Sequence, residues 1–337
     1  MAGPRAPPKF ASQVKQRGKL RARSRSVKDE TRSFYERAVQ GAVARVVASL
    51  DQALDLQRLA RGAALSPLHF HRIFRGMVGE TPLELHRRLR MERAAHALRQ
   101  SVTPVTTIAL NAGYDSHEAF TRAFRGFYAC SPSEFRQAVP HDHCTRPPQI
   151  EIAAPSSIHF DPHGAADRVF RFVQGATHMN VEIKQMKAVR VAAVHHVGPY
   201  NRISEAFSRL GKLAGPAGLL DTKPTMLALY HDDPEVTPEA ELSSDAAIVV
   251  PENAQLPHGL DEHRLPAGRY ACTLHLGPYE QLGDTWSRFM GQWLPASGER
   301  MAEGVSFEIY LNDPTEVPKP ELRTELYLPL AASHASA

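Results

Sequence analysis

The clearest hydrophobic pattern in the chain lies in residues 105–136. Ala119, Phe120, Ala123, Phe124 and Phe127 recur at three- and four-residue spacing, which marks the buried face of a helix. His117, Glu118, Thr121, Arg122 and Arg125 fall on the other side. Asp115-Ser116 supplies the start, because a Ser or Asp oxygen at an N-cap accepts an otherwise orphan backbone N–H. A shorter helical segment precedes it, with a turn at Ala112-Gly113-Tyr114 between the two. A helix, a glycine-bearing turn and a second helix with a polar front make the helix-turn-helix layout, whose second helix fits the DNA major groove.

The pattern occurs a first time fifty residues earlier. Ser66-Pro67 opens the helix LHFHRIFRGMVG, with Phe70, Ile73, Phe74 and Met77 inward. Leu68, His69, His71, Arg72 and Arg75 lie near its front. Phe70, Arg72 and Phe74 return as Phe120, Arg122 and Phe124. A short helix over 56–61 completes this first unit, and a basic helix near 83–98 links it to the second. A further helical period runs from Tyr35 to Leu50.

After residue 180 the period shortens to that of strands. Segments 181–184 and 189–196, a helix over 203–213, MLALY and DAAIVVP are followed by RYACTLHLGPY, a helix over 280–294, SFEIY and LRTELYLPL. His196-Val197-Gly198-Pro199-Tyr200 answers His275-Leu276-Gly277-Pro278-Tyr279. A duplicated β-α-β-β unit predicts a pseudo-symmetric α+β domain. The expected architecture is therefore multidomain: an all-α tandem helix-turn-helix domain over 31–138, then an α+β domain of two β-α-β-β repeats over 180–331. Residues 1–30, basic and rich in Pro, Gly and Ser, predict a disordered tail, and the Pro-rich stretch 139–179 a linker with some strand.

Charge sharpens this division. Residues 1–140 hold 24 Lys and Arg against 11 Asp and Glu, whereas residues 141–337 hold 16 against 25. A basic first half points to a nucleic-acid partner. No run approaches the ~18 apolar residues of a membrane span, the N-terminus has no apolar signal core, and three scattered cysteines suit a reducing cytoplasm. His141-Asp142-His143-Cys144 resembles a ligand set, but adjacent residues with no second cluster make a poor metal site, so no metal or cofactor is expected.

The segments SPLHFHRIFRGMVGETPLELHRRLRMERAAHAL and IALNAGYDSHEAFTRAFRGFYACSPSEFR resemble the DNA-binding domain of AraC/XylS-family transcription regulators over about 31–136. The departure is Tyr128-Ala129-Cys130, where that family commonly keeps a glycine. The resemblance implies that both recognition helices of one chain enter successive major grooves, with Leu68, His71 and Arg72 on the first and His117, Glu118 and Arg122 on the second, Thr121 close by. Arg suits this role because its fork grips guanine O6 and N7 together. The two GPY turns and the closing TELYLPL resemble the GyrI-like effector-binding domain over about 180–330. That implies a small organic effector, often a lipophilic cation, in a groove between the repeats, with a buried acid on the last strand.

Glu325 is the acid expected there. It shares a strand face with Arg323 and Tyr327, and it corresponds to Ala247 of the first repeat, so it breaks the pseudo-symmetry. Tyr200, Tyr230, Tyr279, Trp286, Phe307, Tyr310 and Tyr327 are the candidate aromatic lining. The sequence thus predicts a cytoplasmic, non-enzymatic regulator whose partners are double-stranded DNA, a small effector and RNA polymerase. Two other readings stand beside it: a GyrI-like hydrolase of cyclopropane-type compounds using Glu325 with Tyr327 or Tyr310, and an effector-free protein-interaction module.

Overall fold

The computed structural model describes residues 27–138, 151–163, 172–173, 179–220, 224–232 and 237–332. The His141–Cys144 cluster and residues 1–26 of the expected tail lie outside them. Helices α1 (Val27–Ala48), α2 (Leu56–Gly62), α3 (Pro67–Val78), α4 (Pro82–Gln100), α5 (Val105–Asn111), α6 (His117–Tyr128) and α7 (Pro132–Gln137) build the first half. The starts are chemically marked. Ser66 and Ser116 cap α3 and α6 through His69 and Ala119 backbone N–H groups, and Thr81–Glu84 and Ser131–Glu134 form full capping boxes on α4 and α7.

Helix α3 ends at Gly79 and α6 at Ala129, both left-handed, with φ of 87° and 58°. The departure noted in the sequence is therefore local: Ala129 takes the turn a glycine would take, at the steric cost of its Cβ.

The second half is one eight-stranded antiparallel sheet. Its strands are β1 (Val181–Met186), β2 (Val189–Val197), β3 (Met226–Tyr230), β4 (Ser243–Val249), β5 (Asp261–Leu265), β6 (Gly268–Leu276), β7 (Phe307–Tyr310) and β8 (Arg323–Leu330). They are ordered β1-β6-β8-β7-β3-β4-β2-β5. The pseudo-symmetry axis falls between β7 and β3. Each repeat carries one strand more than the β-α-β-β pattern, and those strands are exchanged: β1 pairs with β6 of the second repeat, β5 with β2 of the first. Helix α8 (Ser204–Ala214) covers one half of a sheet face through Ala206, Leu210 and Ala214 against Ala192, Val194 and Ile248. Helix α9 (Leu282–Arg288), a π-helical turn over Phe289–Trp293 and α10 (Leu294–Ser297) cover the other half through Leu282, Trp286 and Phe289 against Ala271, Leu326 and Leu328. Pro295 lacks the N–H that an α-helix would direct at the Gly291 carbonyl, which accounts for the wider turn before it.

The halves are packed together. A single buried cluster runs from Tyr35 and Val39 of α1 through Phe70 and Phe74 of α3 to Trp286, Phe289 and Leu326. Thr31 Oγ1 donates to the Gly298 carbonyl at 3.1 Å, and the Arg300 guanidinium lies 5.2 Å from the Phe34 ring.

A segment of the expected linker is tied to α4. Arg88 donates to both Glu80 oxygens at 3.0 and 2.6 Å, to Glu92 at 2.9 Å and to the Ile158 carbonyl at 2.8 Å. Glu92 in turn accepts from the Ile152 and Phe160 backbone N–H groups at 2.9 and 2.8 Å. These side chains satisfy backbone groups that a strand would have paired, and residues 151–163 form no strand.

Two stability predictions follow from these contacts. Arg88→Ala leaves two buried carboxylates without their cation and should cost about 3–5 kcal/mol in urea melts, with faster proteolysis within 151–163. Ala129→Gly should stabilise by about 0.5–1 kcal/mol by relieving the left-handed alanine, measured as a higher urea midpoint at unchanged slope.

Candidate functional site

The two candidate reading helices have the same internal logic and different surroundings. On α6 the front is open: His117, Glu118, Arg122 and Arg125 are exposed and Thr121 is half-buried. Hydrogen bonds from its own backbone N–H and from Ser116 hold the Glu118 carboxyl below its ordinary range, so this side chain also serves the helix start.

On α3 the matching front is covered. Leu68 and His69 are buried. The guanidinium carbon of Arg72 sits 4.2 Å from the Trp286 ring centroid, and Arg75 Nη2 donates to Asp284 Oδ1 at 2.8 Å. A Cβ on Gly76 would meet the Ser287 carbonyl oxygen at 1.9 Å and Gly291 Cα at 2.7 Å, whereas Gly126, its counterpart on α6, has nothing within 4 Å. Two backbones therefore cross in contact here, and only glycine permits it. Next to this crossing His69 lies 3.1 Å from Ser306 Oγ, and burial pulls its pKa down to about 4, with the nearby Arg72 charge adding to the effect.

Strand register sorts the candidate effector residues onto two sheet faces. Glu308 pairs with Ala228 and Leu326, and Tyr310 with Met226 and Thr324, so these side chains share the helix-covered face with Tyr230. In the gap between α8 and α9, Tyr200 meets Tyr230 edge-on at 4.8 Å, and its pseudo-symmetric partner Tyr279 meets Tyr310 at 5.3 Å. Phe207 of α8 closes on Tyr310 at 5.6 Å, and Trp286 stands on the α9 side. At the floor is Glu308, 2 % exposed. It accepts from Trp286 Nε1 at 2.7 Å and from the Tyr310 hydroxyl at 3.0 Å, and Tyr310 lies 3.2 Å from the Tyr230 hydroxyl. Burial raises the Glu308 pKa; the Trp286 hydrogen bond and the Arg72 charge oppose this without cancelling it. A cavity of about 410 Å³, lined by Leu68, His69, Tyr230, His231 and residues 301–306, runs along the seam between the two halves.

Glu325, Tyr327 and Phe307 stand on the opposite face. Glu325 accepts from Lys184 Nζ at 2.9 Å and from the Tyr327 hydroxyl at 2.5 Å. Burial raises its pKa, but those two bonds outweigh it and leave the carboxyl below the ordinary range. Phe307 and Tyr327 stack at 4.9 Å within the buried layer of that face. The expected acid thus has its own lysine and lies across the sheet from Tyr200, Tyr230, Tyr279, Trp286 and Tyr310. A second polar cluster on this face joins the buried Asp245 to His195 and His231, each at 2.7 Å.

Glu308 went unrecognised in the sequence, although the signal was present. Aligning SFEIY on MLALY sets Tyr310 against Tyr230 and Glu308 against Ala228. This is the same break of pseudo-symmetry that singled out Glu325, one strand earlier, and it comes with an alternation that puts Glu308 beside Tyr310.

Known proteins match each half. The model of the GyrI-like small-molecule-binding domain matches residues 179–331, and that of a helix-turn-helix domain matches residues 59–138. The DNA gyrase inhibitor of Erwinia billingiae is 34% identical over 157 residues, which span 45% of this chain and 98% of that protein. An uncharacterised HTH-type transcriptional regulator of Haemophilus influenzae is 37% identical over 84 residues, 25% of this chain and 28% of the relative. The crystal structure of the EcmrR C-terminal domain aligns at 20% identity with a TM-score of 0.40, covering 46% of this chain and 99% of that one. The fold and the two matches define a DNA-binding regulator architecture, a helix-turn-helix domain joined to a small-molecule-binding domain. The chain belongs to the GyrI-like family and carries an AraC-type helix-turn-helix domain ahead of it.

The buried His69 makes the seam between the halves acid-sensitive. Its pKa in the docked state lies below the ordinary value of about 6.5, so its contribution is complete above that pH. It declines as pH falls toward 4, because only the released imidazole takes up the proton. At pH 5 docking should be weaker by about 2 kcal/mol, and His69→Phe should flatten this dependence in pH-resolved thermal melts.

Proposed function

We propose a transcription regulator of the cytoplasm that reads a DNA site through α3 and α6 and takes an amphiphilic organic cation as effector, with Glu308 as its anchor. The observation that carries this reading is the burial of Glu308 against neutral hydrogen-bond donors. It is a carboxylate held by an indole N–H and a tyrosine hydroxyl, under aromatic rings from both repeats. A bare anion in such a place is costly, which is why its pKa rises, and an entering cation removes that cost while gaining ring-face attraction of roughly 0.5–2 kcal/mol per contact. In this proposal Tyr200, Tyr230, Tyr279, Trp286 and Tyr310 line the site. Glu325, Tyr327 and Phe307 brace the far face of the sheet, because Lys184 already neutralises Glu325.

On the DNA side the proposed contacts are Leu68, His71 and Arg72 of α3 and His117, Glu118, Thr121 and Arg122 of α6. RNA polymerase is the further partner proposed. The chemistry of Glu308 and Tyr310 also supports a second reading, a hydrolase in which a carboxyl of raised pKa acts on a water or leaving group.

Substitution at Glu308 separates the two. Calorimetric titration of tetraphenylphosphonium into the full chain should give saturable binding that Glu308→Gln weakens by about ten- to a hundredfold, the value of one charged hydrogen-bond partner. Glu325→Gln should leave it within about twofold. Loss of turnover on a strained-ring electrophile with unchanged cation affinity would instead establish the hydrolase. For DNA, selection of duplexes from a random pool by the full chain should yield a defined site, and Arg122→Ala should cost about 1–3 kcal/mol on it. Retention of full specificity would remove α6 from the contact set.

A further inference from the structure

The aromatic groove already has a cation over it, and that cation belongs to the other domain. Arg72 lies 4.2 Å over the Trp286 ring, the same indole whose N–H donates to Glu308. Its positive charge bears on both Glu308 and Tyr230. A guanidinium stacked on an indole with a buried carboxylate behind it uses the chemistry that an organic cation would use. Its approach is set by the contact of Gly76 with Gly291 and flanked by the Arg75–Asp284 and His69–Ser306 bonds. Arg122, the counterpart on α6, is exposed.

We infer that Arg72 is an intramolecular occupant of the effector groove, so that an organic cation entering at Glu308 and Trp286 competes with the first recognition helix and releases it toward DNA. The inference rests on the reading of this groove as a cation site. In the docked arrangement only α6 offers an open front, and one arginine cannot stack on Trp286 and grip a base edge at the same time. Cation and DNA therefore favour the same undocked arrangement. By linkage, DNA that engages α3 must raise cation affinity by the factor by which the cation raises DNA affinity.

The chain has two tryptophans, Trp286 and Trp293, both on the covering helix. Trp293→Phe leaves Trp286 as the single emitter beneath Arg72, and the full chain with that substitution is titrated with tetraphenylphosphonium, an aromatic cation without hydrogen-bond donors. If Arg72 holds the groove about nine-tenths of the time, Arg72→Ala tightens the apparent Kd about tenfold. Gly76→Leu, which forces the crossing apart and replaces no residue of the groove, shifts it in the same direction. In the unsubstituted chain the same cation speeds amide hydrogen exchange of residues 67–78 and leaves residues 117–128 unchanged. Cation binding that is unchanged or weaker in both variants, while Glu308→Gln still weakens it at least about tenfold, overturns the competition and keeps the cation site. Absence of cation binding in every variant removes the cation reading itself, and the competition with it.

Discussion

Much of this structure depends on the distance at which two helices cross. With a side chain at either Gly76 or Gly291, α3 would be pushed off the covering helix, and the Arg72 guanidinium would be lifted away from the Trp286 face. The same closeness lets Phe70, Phe74, Trp286 and Phe289 share one core, so the first helix-turn-helix unit and the second repeat are packed as parts of a single body. The wide turn before Pro295 belongs to this arrangement, since it shapes the backbone that α3 meets. Helix α6 has the same sequence logic and makes none of these contacts. Its core is a separate cluster built on Phe120, Phe124 and Phe135.

Two acids show how the domain handles buried negative charge. Glu325 is half-buried and solves the problem locally, by an ion pair with Lys184 and a hydrogen bond from Tyr327. Glu308 has neutral donors against it and lies deeper, so its environment favours the protonated form or a cation brought from elsewhere. The cation that comes within range is carried on another domain. Electrostatics and domain packing are thereby made parts of one equilibrium.

The helices, their caps, the tandem unit and the duplicated repeat could all be read from the chain, because periodicity and N-cap chemistry are local properties. Five of the eight candidate effector residues come together in the groove for a similar reason, since alternation and the repeated GPY turn define a face. Glu325 and Glu308 both break the symmetry, and only the cross-strand register with the pairing of Lys184 tells their surroundings apart. The partner strand β1 lies some 140 residues away from Glu325, beyond the reach of any local pattern. The covering of α3 was likewise invisible. Leu68, His71 and Arg72 make a front as plausible as that of α6, and what distinguishes them is the presence of Gly291 and Trp286 more than two hundred positions later.

The exchange of β1 and β5 between the repeats has a mechanical result. Each half of the domain is completed by an edge strand that belongs to the other, so the halves are interlocked like clasped hands and the sheet beneath the groove resists being pulled apart. Any change of width must come from the walls, by tilting of α8 or of the α9–α10 helix. The second of these walls is the one on which α3 rests. A rigid floor thus turns small movements made to admit a guest into displacement of the helix that rests on that wall.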